Sequence, residues 1–551
     1  MSHPPATTTP ADGKQWKNQA AVAQNRRVAS LAKVQPPLEG IPDTLPLNSQ
    51  GLAKAVLTAR EIEITEGFSV PELLAALRDR AIRVEEVTRA FLRRAALAHM
   101  ATNCLAELLW EEAIERARYL DSFPTPRGAL FGLPISTKEH HGMVCKDVRT
   151  CGSYASWVDK PHGSNLLYDT LWDAGCVFFA RTTQPQTIMH LETESNVYGR
   201  TVNPYNRNLT PGGSTGGEAA LLGMRGSLLG VGGDIGGSVR CPAAHVGVYG
   251  FKPTNRRISV FGQRSHMVGK EAIMGTPGPM CVDRASLDLL MNVAIAARPW
   301  RVDPSLSVKE WAPFELKAPL KITVQWWDVV VMPHPPMTRA LKTVSEACRR
   351  AGMTVVNWDS KRLDHARAWE ILSSFYWPDG GKEVLGLLRD ADEPLPPLTT
   401  FIIHEQPSVR ELTQHELWQR CSERDEYWAM YAKAWREMAH DDGREVDVML
   451  CPPSFGAATP HGQSRYWGYT SKWNLLDYPA VVFPVTAVNA EMDKKQEDYV
   501  PVNEQDQSVY DMYEPEKYAY ATVSLQIVGL REHDEKVLGV LEEIEKAMGR
   551  S

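Results

Sequence analysis

The sequence predicts an α/β fold, with helices packed around a parallel or mixed sheet. Two observations lead to this: amphipathic helical periodicity in the N-terminal part of the chain, and short apolar runs such as Val177–Ala180 that are typical of buried strands. The chain has 551 residues, of which 43% are hydrophobic and 23% charged, so its composition is that of a globular protein. There is ample chain to bury a large core.

The first fifty residues differ in composition from the rest. Residues 1–50 are rich in Pro, Thr, Ala and Gln, which predicts an extended arm that is in part disordered. Residues 51–551 are interpreted as one domain, whose N-terminal helices occupy about 60–120. The clearest helix start is at Ser69, because Glu72 completes a capping box and a proline stands in the first turn.

Later segments alternate between strand and helix patterns. Residues of about 130–255 form a core dense in Gly, Ser and Thr, in which few long amphipathic periods occur. The remaining predictions, in chain order, are a strand at 320–331, a helix at 337–351, a strand at 353–358, a charged helical segment at 406–444 interpreted as two exposed helices, a buried strand at 478–488, a strand at 521–529 and a closing helix at 532–548.

Charge and cysteine content restrict the function classes. The formal net charge is −7 and there is no basic tail, which disfavours nucleic acid and anionic membranes and favours a small-molecule partner. The nine cysteines are scattered without a C-x-x-C pair, which indicates a reducing compartment. No apolar run reaches the roughly 18 residues of a membrane span, and the N-terminus has no apolar signal segment. We therefore expect a cytoplasmic protein.

Three glycine-rich segments are candidates for the functional site. A glycine in a core element costs roughly 0.5–1 kcal/mol relative to alanine, so a cluster indicates backbone N–H groups that approach a ligand closely. A phosphate loop would need a lysine after its glycines, and none follows here. An oxyanion site beside a serine fits better. The segments are GLPISTKEHHG at 132–142, TPGGSTGGEAA at 210–220 and GVGGDIGGSVRCPAA at 230–244.

A nucleophilic serine needs a base. The nearby histidines, His140, His141 and His245, have no distinguishing context, and adjacent histidines in a loop are more often at the surface. Lys138 follows an apolar run, and a buried lysine loses its proton readily and can serve as the base. The run around Ser214 also matches G-x-S-x-G, but a Pro- and Asn-rich loop precedes it where a nucleophile elbow requires a strand.

Together these motifs resemble the amidase signature family of serine hydrolases. The motifs are GLPISTKE, GGSTGGE and GGDIGGSVRCPAA followed by YGFKPT; Lys138 precedes Ser214 by 76 residues and Ser214 precedes Ser238 by 24. The flanking segments VNPYNRN, VMPHPP and YWGYTSKWNLLDYP resemble the fungal acetamidase branch. The resemblance implies the amidase signature fold, a large mixed twisted sheet between layers of helices, in one catalytic domain.

The resemblance also implies residue roles. Ser238 matches the family's nucleophile, Ser214 the bridging serine held by a cis peptide bond, and Lys138 the neutral base. Ile188 matches a position at the substrate entrance. The matching oxyanion hole comprises the N–H groups of Ile235, Gly236, Gly237 and Ser238. For the reaction, the resemblance implies hydrolysis of a carboxylic acid amide to acid plus ammonia or amine, with no metal or cofactor. A homodimer is the assembly it suggests.

Several positions depart from the family pattern. Glu139 stands where many members have Asp, His140 and His141 follow it, Thr215 replaces a serine, and Gly233 replaces a threonine. Thr215 retains a hydroxyl, so its hydrogen bond is expected to persist. These departures motivate an alternative: a dedicated tailoring amidase or acyl-transfer enzyme of a specialised-metabolite or detoxification pathway. A non-enzymatic scaffold is disfavoured, because all three matching catalytic residues are present. Asp234 and Arg240 are interpreted as structural.

Overall fold

The computed structural model describes residues 15–142, 148–149, 151–266, 268–316, 319–439 and 442–550. Within these ranges it contains one large β-sheet and two short two-stranded sheets. The strands are β1 (Leu105–Leu108), β2 (Pro134–Lys138), β3 (Val148–Arg149), β4 (Pro161–His162), β5 (Val177–Thr182), β6 (Glu194–Ser195), β7 (Gly199–Arg200), β8 (Leu229–Asp234), β9 (Tyr249–Lys252), β10 (Thr276–Cys281), β11 (Lys321–Val324), β12 (Thr354–Asn357), β13 (Val448–Cys451), β14 (Ala480–Ala487) and β15 (Thr522–Val528).

Helices occur along the whole described chain. They are α1 (Gln15–Leu31), α2 (Leu52–Val56), α3 (Ala59–Glu66), α4 (Val70–Arg78), α5 (Val84–Thr102), α6 (Trp110–Asp121), α7 (Leu166–Asp173), α8 (Gly216–Gly223), α9 (Arg240–Val246), α10 (Ala285–Ala296), α11 (Pro335–Arg350), α12 (His365–Tyr376), α13 (Lys382–Arg389), α14 (Pro397–His404), α15 (Gln414–Glu437), α16 (Gly468–Leu475), α17 (Glu504–Met512) and α18 (Asp534–Ala547).

The large sheet has eleven strands in the order β1-β5-β2-β8-β10-β9-β14-β15-β13-β11-β12. Strand β2 runs parallel to both β5 and β8, and β11 runs parallel to β12 and β13. The pairs that join these two parallel groups through β10, β9, β14 and β15 are antiparallel. The sheet is therefore mixed, and the α/β prediction is confirmed.

Helices cover both faces of the sheet. In β14, Val481 and Phe483 pack in a cluster with apolar residues of α11 and α18, whereas Val482 between them packs with residues of α8 and α9. Because successive side chains of a strand point to opposite faces, these two clusters lie on opposite sides of the sheet. This is the layered arrangement that the resemblance implies.

Several predictions made from local patterns are confirmed. Ser69 is the N-cap of α4; its hydroxyl accepts from the Glu72 backbone N–H, and the Glu72 side chain accepts from the Ser69 N–H. The predicted strands at 478–488 and 521–529 are β14 and β15, which pair antiparallel in the middle of the sheet. The predicted closing helix is α18.

Three predictions of secondary structure were wrong. Residues 15–31 of the predicted extended arm form α1, in which Ala20 and Ala23 are buried and the Ser30 hydroxyl accepts from the Leu108 N–H at 3.1 Å. This stretch contains no proline and many good helix formers, which the composition of the whole arm conceals. Residues 1–14 lie outside the described residues.

The segment at 406–444 contains one 24-residue helix, α15, rather than two. The predicted strand at 320–331 ends at Val324.

Two further observations concern the described residues only. None of their helices is both long enough and apolar enough to cross a membrane. The eight cysteines among them are free thiols, and Cys145 lies outside them.

Candidate active site

A cavity of about 290 Å³ lies at one edge of the large sheet. Because β2 and β8 are parallel neighbours, their carboxyl ends, at Lys138 and Asp234, meet at this edge. Ser214 lies just before α8 and Ser238 just before α9, and both line the cavity together with Lys138. The fold therefore brings together three residues that lie far apart in the sequence.

Lys138 and Ser214 are in direct contact. The Lys138 Nζ donates a hydrogen bond to the Ser214 Oγ at 2.6 Å, and both side chains are buried. The peptide bond between Gly213 and Ser214 is cis, as the resemblance implies. Burial lowers the pKa of Lys138 from 10.5 to about 7, against an opposing influence of the Asp234 carboxylate. A substantial fraction of this lysine is therefore a neutral amine near pH 7.

Asp234 organises the turn that carries Ser238. Its carboxylate accepts from the backbone N–H groups of Gly237 and Val239, and it forms an ion pair with Arg240 at 3.0 Å. Burial alone would raise the pKa of Asp234, but the Arg240 guanidinium and the hydrogen bonds from Arg240 and Asn474 hold it below its ordinary value. The interpretation of Asp234 and Arg240 as residues that shape the turn is confirmed.

In two peptide units of this turn the carbonyl is held by a hydrogen bond, which also sets the direction of the N–H group on the other side of the peptide. The carbonyl of Ile235 accepts from the Tyr376 hydroxyl at 3.0 Å, and the carbonyl of Gly237 accepts from a backbone N–H of α9 at 2.7 Å. In a trans peptide the N–H and C=O groups point in opposite directions. None of the described residues accepts a hydrogen bond from the N–H groups of Gly236 and Ser238, so both are available to a ligand.

The N–H group of Gly237 is already used. It donates to the Asp234 carboxylate at 2.9 Å, while the carbonyl on the other side of the same peptide, that of Gly236, accepts from the Thr470 hydroxyl at 2.7 Å. Gly237 has a φ of 125°, and a Cβ on it would lie 2.3 Å from the Thr470 Oγ1, so only glycine fits here. Of the four N–H groups matched to an oxyanion hole, those of Ile235, Gly236 and Ser238 have no hydrogen-bond acceptor within the described part of the chain.

Thr215 behaves differently from the sequence prediction. Its Oγ1 is buried without a hydrogen-bond partner among the described residues, so the hydroxyl contact expected from the family pattern is absent there. The Thr215 backbone N–H instead donates to the Ser238 carbonyl at 3.2 Å. The threonine methyl faces Gly232, whose Cβ would lie 2.7 Å from it. The added methyl therefore occupies space that this glycine provides.

The expectation that His140 and His141 lie at the surface was wrong. Both are buried in a short helical turn directly after Lys138, because the loop is covered by residues from other parts of the chain. Burial lowers the pKa values of His140, His141 and His245 below 6.5. None of the three forms a hydrogen bond with Ser238 in the described structure.

The described residues also contain no group of three His, Cys, Asp or Glu side chains that could hold a metal ion.

The outer wall of the cavity was only partly predicted. Ile188 lines it, as expected, and has a φ of 62°, which a β-branched residue rarely adopts. Most of the rest of this wall comes from the loop between β9 and β10, which carries no recognisable motif. The described residues of this loop that line the cavity are Val260, Gln263, Arg264, Ser265, His266, Val268, Gly269, Lys270, Ile273, Met274 and Gly275.

Sequence reasoning also missed Tyr376 and Thr470, which hold the turn from other elements. Tyr376 ends α12, and no local pattern distinguishes its hydroxyl from that of any other buried tyrosine. Thr470 lies within YWGYTSKWNLLDYP, a segment noted only for its resemblance. That segment was the one available signal for it.

Comparisons with known proteins agree with this geometry. A family model described as Amidase matches residues 86–538. A protein of Schizosaccharomyces pombe named as an amidase is 42% identical over 498 residues, which cover 89% of this chain and 91% of that protein. The Acetamidase of Aspergillus oryzae is 36% identical over 526 residues, or 93% and 94% of the two chains. A solved structure named Fatty acid amide hydrolase superimposes with a TM-score of 0.90 at 30% identity, covering 98% of each chain.

Proposed function

Because this chain belongs to the amidase family and is an amide-hydrolysing enzyme, we propose that it cleaves a carboxylic acid amide through an acyl-enzyme formed on Ser238. In this proposal Ser214 relays the proton and Lys138 is the base. The observation that carries it is the 2.6 Å contact between the Lys138 Nζ and the Ser214 Oγ, at the wall of a cavity that Ser238 also lines.

The buried lysine supplies the base that a serine nucleophile requires. A serine hydroxyl is a weak nucleophile at neutral pH unless its proton is removed during attack. With a pKa of about 7, Lys138 is neutral often enough to accept the Ser214 proton while Ser214 accepts the proton of Ser238. The Ser238 Oγ forms a bond to the amide carbon as these protons move.

The same relay, run in reverse, serves the leaving group. The tetrahedral intermediate collapses when its C–N bond breaks, and the departing nitrogen takes the proton that returns from Lys138 through Ser214. Water then attacks the acyl ester on Ser238 by the same sequence of transfers and releases the acid. The atoms balance as amide plus water to acid plus ammonia or amine.

The unused N–H groups of the turn stabilise the negative charge that develops on the carbonyl oxygen of the substrate. Those of Gly236 and Ser238 belong to peptides whose carbonyls are fixed by hydrogen bonds, so their direction is set before the substrate binds. Preorganised donors of this kind stabilise an oxyanion without reorganising during the reaction. We assign the oxyanion site to them, with the Ile235 N–H as a third donor.

The cavity favours a substrate with an apolar group larger than methyl. Its volume of about 290 Å³ exceeds what a molecule the size of acetamide fills. Its apolar lining residues are Ile188, Met189, Ile235, Val260, Val268, Ile273 and Met274. We therefore expect primary amides of longer or aromatic acids to be better substrates than acetamide.

The test is ammonia release from a graded panel of primary amides, from acetamide through benzamide to longer chains. Wild type should turn over part of the panel, and Ser238→Ala should lose about 10⁴-fold or more in kcat. Ser265→Ala is the matched control: this serine lines the same cavity, but its hydroxyl donates to the neighbouring His266 carbonyl at 2.7 Å. It should keep nearly full activity.

Labelling with a fluorophosphonate gives the second measurement. Wild type and Ser265→Ala should be labelled, and Ser238→Ala should not. Labelling without turnover of any amide in the panel would indicate a serine hydrolase with a reactive nucleophile whose substrate is one particular amide outside the panel. Equal turnover by Ser238→Ala and wild type would contradict the assignment of the nucleophile.

A further inference from the structure

A chain of side-chain hydrogen bonds leads from a buried carboxylate to the wall of the cavity. It begins at Glu139, whose carboxylate accepts from the backbone N–H groups of Cys151 at 2.6 Å and Gly152 at 2.8 Å. Arg181 lies 3.5 Å from the same carboxylate. Because a carboxylate only accepts hydrogen bonds, Glu139 fixes the direction of the next link.

The next link is Gln184. Its Nε2 donates to the Glu139 Oε2 at 3.0 Å, which leaves its Oε1 directed at the His140 Nδ1, at 2.6 Å. A carbonyl oxygen cannot donate, so the proton of this contact belongs to the His140 Nδ1. Burial, His141 and Lys138 all lower the pKa of His140, so the ring is neutral. The Nε2 of His140 is therefore an acceptor with a lone pair.

The last link is Gln263, in the loop between β9 and β10. Its Nε2 lies 3.2 Å from the His140 Nε2, and a lone pair there requires the amide NH₂ of Gln263 as donor. The Oε1 of Gln263 is then the unused end of the side chain. Gln263 lines the same cavity as Lys138 and Ser238. None of the described residues donates a hydrogen bond to its Oε1.

We propose that the Gln263 Oε1 accepts a hydrogen bond from the N–H of the substrate amide, and so selects amides over esters of the same acid. An ester has no N–H group and would leave this oxygen without a donor. The inference rests on the proposed function, and it makes Gln263 a specificity-determining residue. His140, Gln184 and Glu139 act through Gln263 as positioning residues.

The experiment compares kcat/KM for a primary amide and for the methyl ester of the same acid. Gln263→Met keeps the length of the side chain and removes the acceptor. Its kcat/KM for the amide should fall about tenfold, the worth of one hydrogen bond, while that for the ester changes less than about threefold. Gln263→Leu, with a different shape, should lower the amide-to-ester ratio in the same way. Ser265→Ala should leave the ratio unchanged.

The outcomes separate this inference from the proposed function. An equal loss for amide and ester in both Gln263 variants would mean that the residue only shapes the wall, and would overturn the inference alone. Unchanged kcat/KM values for both compounds in these variants would also overturn the inference alone. Failure of wild type to hydrolyse either compound, or equal turnover by Ser238→Ala, would overturn the proposed function and the inference with it. Ester turnover by a Gln263 variant also reports that its site is folded.

Discussion

The Nε2 of His141 lies 3.1 Å from the position that a Cβ atom on Gly233 would occupy. The imidazole is fixed on its other side, because its Nδ1 is 2.8 Å from the Tyr168 hydroxyl. Both side chains are buried, so the ring cannot move aside easily. The two departures from the family pattern, a histidine after the catalytic strand and a glycine in place of threonine, are therefore linked by packing.

This contact predicts that substitutions at the two positions are not additive. Gly233→Ala should lower the free energy of unfolding by about 1–3 kcal/mol, because its methyl group overpacks against His141. In the double variant with His141→Ala, the loss should be smaller than the sum of the single losses by about 0.5 kcal/mol or more. Gly163→Ala is the control, since a Cβ there meets no atom within 4 Å. Unfolding measurements on wild type, the two single variants, the double variant and Gly163→Ala test this; strict additivity would contradict it.

Local sequence patterns predicted the elements whose structure depends on near neighbours. The capping box at Ser69 is complete within one helical turn. The apolar run at 478–488 contains β14, whose first four residues are buried, and a continuous apolar run is typical of a strand buried on both faces. Lys138, Ser214 and Ser238 were identified from the motifs around them, which are also local. Their meeting at one cavity was implied by the resemblance and is visible only in the fold.

The parts of the site that were missed depend on contacts between distant residues. Tyr376 lies 141 positions from the carbonyl that it holds, and Gln263 lies 123 positions from His140. No spacing rule connects such pairs in a single sequence. The burial of His140 and His141 has the same origin, because residues from other elements cover a loop that looks polar by itself. Composition over fifty residues likewise concealed α1.

The pKa of Lys138 predicts how activity depends on pH. The folded enzyme holds this pKa at about 7, below 10.5, so the neutral amine predominates above pH 7 and the cation below it. If the neutral amine is the base, kcat/KM should rise about tenfold per pH unit below 7 and reach a plateau above it. At pH 5 the value should be about a hundredfold below the plateau. Initial rates between pH 5 and 9, on one good amide, measure this.

Lys138→Met is the matched variant for the pH profile. It should lose most activity, and whatever activity remains should not show the inflection near pH 7. Circular dichroism at each pH controls for unfolding. A flat wild-type profile, or an inflection that persists in Lys138→Met, would contradict the role of this lysine as the base.

The hydrogen bond from Tyr376 to the Ile235 carbonyl predicts an effect on kcat rather than on KM. Tyr376→Phe removes the hydroxyl that fixes this peptide, so the Gly236 N–H on its other side loses its set direction. Since an oxyanion donor acts mainly in the transition state, kcat should fall about tenfold and KM should change less than about twofold. Tyr427→Phe is the control, because the Tyr427 hydroxyl is buried without a hydrogen-bond partner among the described residues, and it should leave kcat unchanged. A parallel loss in both variants, or a change in KM alone for Tyr376→Phe, would show that the tyrosine does not position an oxyanion donor.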